Sequence, residues 1–417
     1  MRDAMYNVLT FNNISARGLA RFPHDRFTVG KHVERPDAIL LRSHDLHGMA
    51  FAPSVKAVGR AGAGTNNIPV AALSARGVPV FNAPGANANA VKELVLAALL
   101  MSARNLVPAL RFVESLPAEA ADFEARVEEG KKQFAGFELP QHTLGIVGLG
   151  AIGSLVAETA LKLGMKVLGF DPEITVDSAW RLPSSVRKAH SIEEVLKASD
   201  FVSLHLPLLT ATRGLLNADR LQTMKPGAVL LNFARDAIVD EAAVVAALRA
   251  GRLKSYVCDF PSPALLHERG AIALPHLGAS TAEAEENSAV MVVDQLREYL
   301  EHGSIANAVN FPSVEMPRES AHRVAIANAN VPNMLGQIST AMAQAGLNIH
   351  NMVNKSRGEM AYTLVDVDSP VERHVVDAIA SIGGVLTVRA IPAHAGTDIG
   401  SSGCPPGRVS WPPRPIR

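Results

Sequence analysis

Thr143-Leu144-Gly145-Ile146-Val147-Gly148-Leu149-Gly150-Ala151-Ile152-Gly153 runs an apolar, strand-like segment into three glycines spaced G-x-G-x-x-G. A helix-like stretch over residues 154–163 follows, and a second apolar run over 166–170 ends in Asp171. This is the layout of a dinucleotide-binding βαβ unit. The three glycines act differently. Gly148 permits the tight turn out of the strand, Gly150 lets the backbone approach a pyrophosphate, and Gly153 lets the helix pack close to the sheet. The pyrophosphate would rest on the free N–H groups of Ala151, Ile152 and Gly153 at the positive end of the helix. Asp171 is placed to accept hydrogen bonds from a ribose diol, and its charge would repel a 2′-phosphate, so NAD is expected in preference to NADP.

Outward from this unit the α/β alternation continues in both directions. Residues 6–90 hold short β segments such as Ala38-Ile39-Leu40-Leu41 and Val55-Lys56-Ala57-Val58, with Gly and Asn after each, the pattern of a parallel sheet. On the other side, Ser191-Ile192-Glu193-Glu194 is a capping box opening a short helix, and strands are expected over 201–206, 228–233, 255–258 and 272–274. About six parallel strands, wound on both faces, follow from this reading. Residues 281–302 read as one long helix, with Ala289, Val292, Val293, Leu296 and Leu300 on a single face. A linker rich in Asn, Pro and Ser then runs to about residue 317. From residue 323 to 391 the order βαββαβ is ferredoxin-like. The tail over 393–417, dense in Pro and Gly and containing Trp411, reads as disordered.

Bulk properties narrow the function. At 417 residues the chain accommodates two or three domains. Forty basic and forty acidic residues leave no net charge, so nothing draws the protein to nucleic acid or to a membrane surface. No apolar run approaches the roughly 20 residues of a membrane span, and the first residues lack the apolar core of a signal peptide. Only Cys258 and Cys404 occur, so neither a disulfide framework nor a metal site is expected. A cytoplasmic location is the default expectation.

Oxidising a hydroxy acid with a nicotinamide requires a proton acceptor beside the reacting oxygen and a cation for the carboxylate. His276, in Leu274-Pro275-His276-Leu277-Gly278-Ala279, follows a strand end, where α/β sheets place ligands, and its imidazole can take a hydroxyl proton near neutral pH. A capping or packing histidine is the alternative. Arg235, in Asn232-Phe233-Ala234-Arg235-Asp236, follows another strand end, and its guanidinium fork suits a carboxylate. A surface pair with Asp236 is the alternative there.

Taken together, residues 59–68 and 82–93, the glycine turn, His205-Leu206-Pro207-Leu208, and residues 232–241 and 275–281 resemble, in family order, the D-2-hydroxyacid dehydrogenases, and within them the phosphoglycerate dehydrogenase branch. The resemblance implies a doubly wound Rossmann cofactor domain (91–281) inserted in a discontinuous, flavodoxin-like catalytic domain (1–90 and 282–312). It implies NAD-dependent oxidation of 3-phospho-D-glycerate at the start of serine formation. It also places Phe233, Ala234, Arg235, Asp259, His276, Gly278 and Ala279 along the nicotinamide, and Arg42, Ser43, Arg60, Gly62 and Asn87 on a small anionic substrate. It further implies a homodimer or homotetramer. Two departures stand out. The family's usual glutamate partner of the histidine is replaced by Ala264, leaving Glu268 as the nearest substitute, and Asp236 stands where a glycine is usual. A reductase of glyoxylate, hydroxypyruvate or another 2-keto acid, and a non-catalytic NAD-sensing corepressor, are the alternatives.

Residues 318–392 resemble an ACT domain, a ferredoxin-like fold that binds amino acids and acts by pairing with another copy. Asn328, Asn330 and Asn348 match the positions that contact L-serine in phosphoglycerate dehydrogenases carrying this domain, although one of them is often His. Asparagine amides suit a zwitterionic amino acid, and equally suit turns.

Overall fold

Five short, apolar parallel strands open the chain in the computed structural model, which describes residues 5–393: β1 (Tyr6–Thr10), β2 (Phe27–Gly30), β3 (Ala38–Leu41), β4 (Ala57–Arg60) and β5 (Val80–Phe81). They lie in the order β2-β1-β3-β4-β5, the flavodoxin-like winding. Ile39, Leu41, Val58, Leu73 and Val80 form the core on one side of this sheet.

The middle of the chain forms a second parallel sheet of seven strands: β6 (Thr143–Val147), β7 (Lys166–Phe170), β8 (Arg187–Lys188), β9 (Phe201–Leu204), β10 (Ala228–Asn232), β11 (Leu253–Cys258) and β12 (Ala271–Ala273). Their order is β12-β11-β10-β9-β6-β7-β8. Alternate residues serve opposite faces, as the two-residue period of a strand requires: Leu144, Ile146, Val229, Leu231 and Val257 pack into one apolar cluster, and Val147, Val202, Leu204, Leu230 and Tyr256 into the other. Helices therefore cover both faces, and the sheet is the doubly wound Rossmann arrangement. The seventh strand is β8, whose Arg187 and Lys188 are exposed and carry no apolar signature.

The described residues divide into two compact units, 85–287 and 5–84 with 288–393, and the second division falls within the helix Ala282–His302. The glycine-turn sheet thus occupies an insertion in the unit built on the N-terminal sheet.

The C-terminal part of the chain adds β13 (His322–Ala329), β14 (Ile349–Arg357), β15 (Met360–Val367) and β16 (Val385–Pro392), with helices Met334–Gln344 and Arg373–Ala380 between them. The antiparallel order β14-β15-β13-β16 is ferredoxin-like. Val324, Ile326, Ile338, Met342, Val365 and Ile379 make its core. The expectation for the tail falls outside the described residues, apart from Ala393, whose N–H donates to the carbonyl of Ala321 at 2.9 Å.

Two local expectations need correction. Residues 304–317 are no loose linker: Ile305, Ala308, Phe311, Val314 and Met316 are buried, and Ile305 and Val314 exchange two backbone hydrogen bonds of 2.8 Å. Burial of such side chains is worth roughly 1.5–3 kcal/mol each, so the segment is a structural layer. At the capping box, the Ser191 hydroxyl accepts the Glu194 N–H at 3.1 Å, but the Glu194 carboxylate accepts the N–H of His190 at 2.8 Å, one residue earlier than the reciprocal bond would have it.

A buried ion pair fastens the C-terminal sheet. Arg323 and Asp366 stand directly opposite on β13 and β15, are 1% and 0% exposed, and meet through two bonds of 2.6 and 2.9 Å. Arg323 also donates to the carbonyl of His302 at 3.2 Å and Arg389 to that of Leu300 at 2.8 Å, while the Tyr362 hydroxyl donates to Gly303 at 2.7 Å. These carbonyls lie at the end of the helix Ala282–His302, where no intrahelical partner exists.

Candidate active site

The sheet of unit 85–287 changes direction of winding between β6 and β9, and ligands of open α/β sheets bind outside the carboxyl ends of strands at such a point. The glycine turn follows β6. Gly148 has φ +94°, a conformation in which a side chain is strained, and a Cβ there would collide with the carbonyl of His205. A Cβ on Gly153 would strike the Gly148 carbonyl and Ile146. At Gly150 a Cβ would meet nothing within 4 Å. Open space above Gly150, at the N-cap of the helix Ala151–Lys162, is what a backbone approached by a pyrophosphate requires.

Asp171 directly follows β7, and one of its oxygens accepts the N–H of Leu149 in the glycine turn at 2.8 Å, while the other accepts that of Glu173 at 3.0 Å. The carboxylate thereby holds the turn and stands at its mouth, where a ribose would lie. His205 follows the end of β9, in the segment His205-Leu206-Pro207-Leu208. Its Nε2 lies 2.9 Å from the Ser203 hydroxyl, its Nδ1 is buried without a partner, and burial lowers its pKa to about 4. It is a neutral imidazole, and the residue's own backbone carbonyl sits against Gly148.

At the ends of β10, β11 and β12 the remaining residues assemble. Asn232, fully buried, accepts the N–H of Ala234 at 3.2 Å and donates to the carbonyl of Arg235 at 2.9 Å, which shapes the turn carrying Phe233, Ala234 and Arg235. Arg235 is exposed and donates to the carbonyl of Ala234 at 2.6 Å. No ion pair joins it to Asp236 among the described residues. Asp259 is buried, and its two oxygens accept the N–H groups of Leu277 and Gly278, both at 2.7 Å. His276, just before them, has φ +58° and an exposed ring whose neighbour is the edge of Phe260, 5.4 Å away. Ala279 follows, half-buried, in the same turn. Cys258 beside this turn is buried, and burial raises its thiol pKa.

Glu268 does not meet His276. Its carboxylate is bound by Arg249 at 2.9 Å, and no hydrogen bond or ion pair reaches the His276 ring among the described residues. The loop from Asp259 to His276 is too short in carboxylates to supply another, with Ala264 at the usual position.

The unit built on the N-terminal sheet carries Arg42, Ser43, Arg60 and Gly62 at the carboxyl ends of the neighbouring strands β3 and β4. Arg60 donates to the carbonyls of Arg42 (3.0 Å) and Gly64 (2.7 Å), and a Cβ on Gly62 would come within 2.7 Å of its guanidinium. Asn87 is the N-cap residue of the helix Ala88–Ala103 in the other unit. Asn328 and Asn330 lie at the end of β13 that faces Met360, whereas Asn348 precedes β14 at the opposite end of the sheet, where Ile349 and His322 flank Val367. One copy of the module therefore does not bring the three asparagines together.

A switch-point glycine cradle, an acid on the second strand, and a histidine and an arginine at the same sheet edge define an α/β oxidoreductase that uses a nicotinamide dinucleotide. Residues 96–278 match the D-isomer specific 2-hydroxyacid dehydrogenase NAD binding domain. The chain is 34% identical over 356 residues to a D-3-phosphoglycerate dehydrogenase of Haemophilus influenzae, covering 82% of each. It is similar in structure to the TT0316 protein of Thermus thermophilus, at 30% identity and a TM-score of 0.61 over 73% of this chain and 99% of that one. It shares the fold of an NAD-bound 3-phosphoglycerate dehydrogenase from Entamoeba histolytica, at 24% identity and a TM-score of 0.58 over 73% and 99%. The chain belongs to the D-isomer specific 2-hydroxyacid dehydrogenase family. Its cofactor is NAD, which the open Gly150 cradle and Asp171 both fit.

Proposed function

We propose that this protein oxidises the C2 hydroxyl of 3-phospho-D-glycerate to the ketone of 3-phosphohydroxypyruvate, the entry step of L-serine formation. Bound NAD supplies the hydride acceptor. His276 takes the hydroxyl proton as the C2–H bond breaks and returns it in the reverse direction. Arg235 holds the substrate carboxylate through its guanidinium fork, and Arg42 and Arg60 serve the phosphate end. Because no carboxylate among the described residues reaches the imidazole, the shape of the Asp259 turn and the Phe260 ring orient it. The observation that carries this reading is the alignment with D-3-phosphoglycerate dehydrogenase over four-fifths of the chain.

Steady-state NADH formation with 3-phospho-D-glycerate, against unphosphorylated D-glycerate, tests it. Turnover should strongly favour the phosphorylated acid, and His276→Ala should cost about 10²–10⁴ in kcat. Preference for the unphosphorylated acid, or no turnover of either, would overturn the reading.

The same reading makes the protein a cytoplasmic homo-oligomer. Leu106, Leu110 and Val113 form an exposed apolar stripe on the helix Leu106–Glu114, next to exposed Leu100, and this supports pairing through the cofactor-binding unit. No single described helix is long and apolar enough to cross a membrane. L-Serine is the proposed feedback effector of the ACT-like module. An effector site using Asn328, Asn330 and Asn348 together would draw on two copies. Inhibition by serine, absent with D-serine, checks this.

A further inference from the structure

The segment Arg42-Ser43-His44-Asp45-Leu46-His47 leaves the carboxyl end of β3 as an exposed loop, yet its backbone is clamped from both sides. Asn12, itself at φ +63°, directs its Oδ1 at three successive N–H groups, those of Arg42 (3.4 Å), Ser43 (3.0 Å) and His44 (2.8 Å). From the other side Asn67 donates to the carbonyls of Arg42 (3.2 Å) and His44 (2.7 Å), and Arg60 donates to that of Arg42. Three side chains thus converge to hold residues 42–44 in one shape.

Within that shape the His44 ring is fixed too. It stacks on Phe11 at a centroid distance of 4.2 Å and an interplanar angle of 5°. The stack engages the ring face and leaves both nitrogens at its rim, and no hydrogen bond or ion pair reaches them among the described residues. The one carboxylate of the loop, Asp45, is taken by His47 through Nδ1 (2.7 Å) and the backbone N–H (2.9 Å). The loop therefore presents a hydroxyl and an imidazole, with its own negative charge already paired. Arg60, the other cation at this sheet edge, commits Nε and Nη1 to backbone carbonyls.

We propose that His44 is a ligand of the substrate's terminal phosphate, donating a ring N–H to it beside Arg42 and Ser43, and so sets the preference for phosphorylated over unphosphorylated 2-hydroxy acids. This rests on the phosphorylated-substrate reading above. A rigidly held donor suits an anion, because the anion's hydrogen bonds are directional and the ordering of the donor precedes binding. A neutral imidazole donates from one ring nitrogen and a protonated one from both.

His44→Phe keeps a ring to stack on Phe11 and removes the donor; His44→Gln keeps a donor and removes the ring. With 3-phospho-D-glycerate, KM should rise about tenfold or more in His44→Phe, the loss of one charge-assisted hydrogen bond, and less in His44→Gln. KM for D-glycerate should move far less in either. An unchanged KM for the phosphorylated acid, an equal rise for both acids, or equal effects of Phe and Gln would overturn the proposal. A second measurement needs no turnover: inorganic phosphate should raise the melting temperature of the wild type and do so less in His44→Phe. Equal phosphate shifts would overturn the role of His44 even where wild-type kinetics uphold the substrate, and wild-type failure to turn over 3-phospho-D-glycerate would sink the substrate reading alone.

Discussion

The buried carboxylate of Asp259 accepts the backbone N–H of Gly278 at 2.7 Å, and with the matching bond from Leu277 it ties β11 to the turn that bears His276. A residue with positive φ stays there only when its surroundings over-determine it, and this bidentate clasp does so for His276. Asp259→Asn retains the volume but sets an NH2 group against one of the two N–H donors. It is expected to lose about 2 kcal/mol of stability and about 10² in kcat through misplacement of the imidazole. Urea midpoints and single-turnover rates with 3-phospho-D-glycerate check both, and a variant with undiminished kcat would show that the clasp does not set the histidine.

The glycines of the cradle should separate stability from affinity. Gly148→Ala forces a side chain into φ +94° and against the His205 carbonyl, which costs at least about 1–2 kcal/mol and lowers the melting temperature. Gly150→Ala meets nothing in the protein, so its melting temperature should stay at the wild-type value. Its affinity for NADH, read by fluorescence titration, should fall about tenfold, or ~1.4 kcal/mol. The reverse pattern would mean that the space above Gly150 is not where the dinucleotide lies.

Acid sensitivity is expected from His205. Burial lowers its folded-state pKa to about 4 from 6.5, so between these values the unfolded chain binds the extra proton. Stability contributed by the neutral imidazole is therefore complete above about pH 6.5 and is lost as the pH falls toward 4. The loss from pH 7.5 to 5 should be about 2 kcal/mol. His205→Gln should flatten this part of the profile in urea titrations at the two pH values; an equally steep profile would assign the acid sensitivity to other groups.

Removing one partner of the Arg323–Asp366 pair leaves a charge with no water around it. Asp366→Asn is expected to destabilise by about 3–5 kcal/mol, whereas replacing both partners with apolar residues of similar volume should restore much of that. Denaturant midpoints of the single and double variants give the comparison, and a double variant no better than the single would contradict it.

Much of this architecture was legible because its signals are local. The glycine spacing, the acid just after β7 and the helix between them sit within 29 consecutive residues, and Gly148 takes the positive φ of a tight turn. What stayed hidden depends on contacts distant in sequence or on segments with no periodic pattern. β8 is two charged residues that pair only because β7 offers an open edge. Phe311 and Val314 sit among Asn, Pro and Ser, a composition typical of a loop, yet both are buried, Phe311 against the ring of Tyr362 and Val314 in a bridge with Ile305. Glu268 stands near His276 in sequence, but Arg249 lies closer in space. Asn12 and residues 42–44 are thirty positions apart, and no motif announces that one amide will gather three N–H groups.

The capping of the helix Ala282–His302 has a bearing on modularity. Its final carbonyls are satisfied by Arg323, Tyr362 and Arg389, all supplied by the C-terminal sheet, and its last residues share a core with that sheet through Gly303, Leu364 and Ile391. A regulatory domain tethered by a slack hinge can be deleted to leave an unregulated but sound enzyme. Here a chain shortened to residue 317 would strand a helix end and bare an apolar face, so truncation would act as a folding lesion.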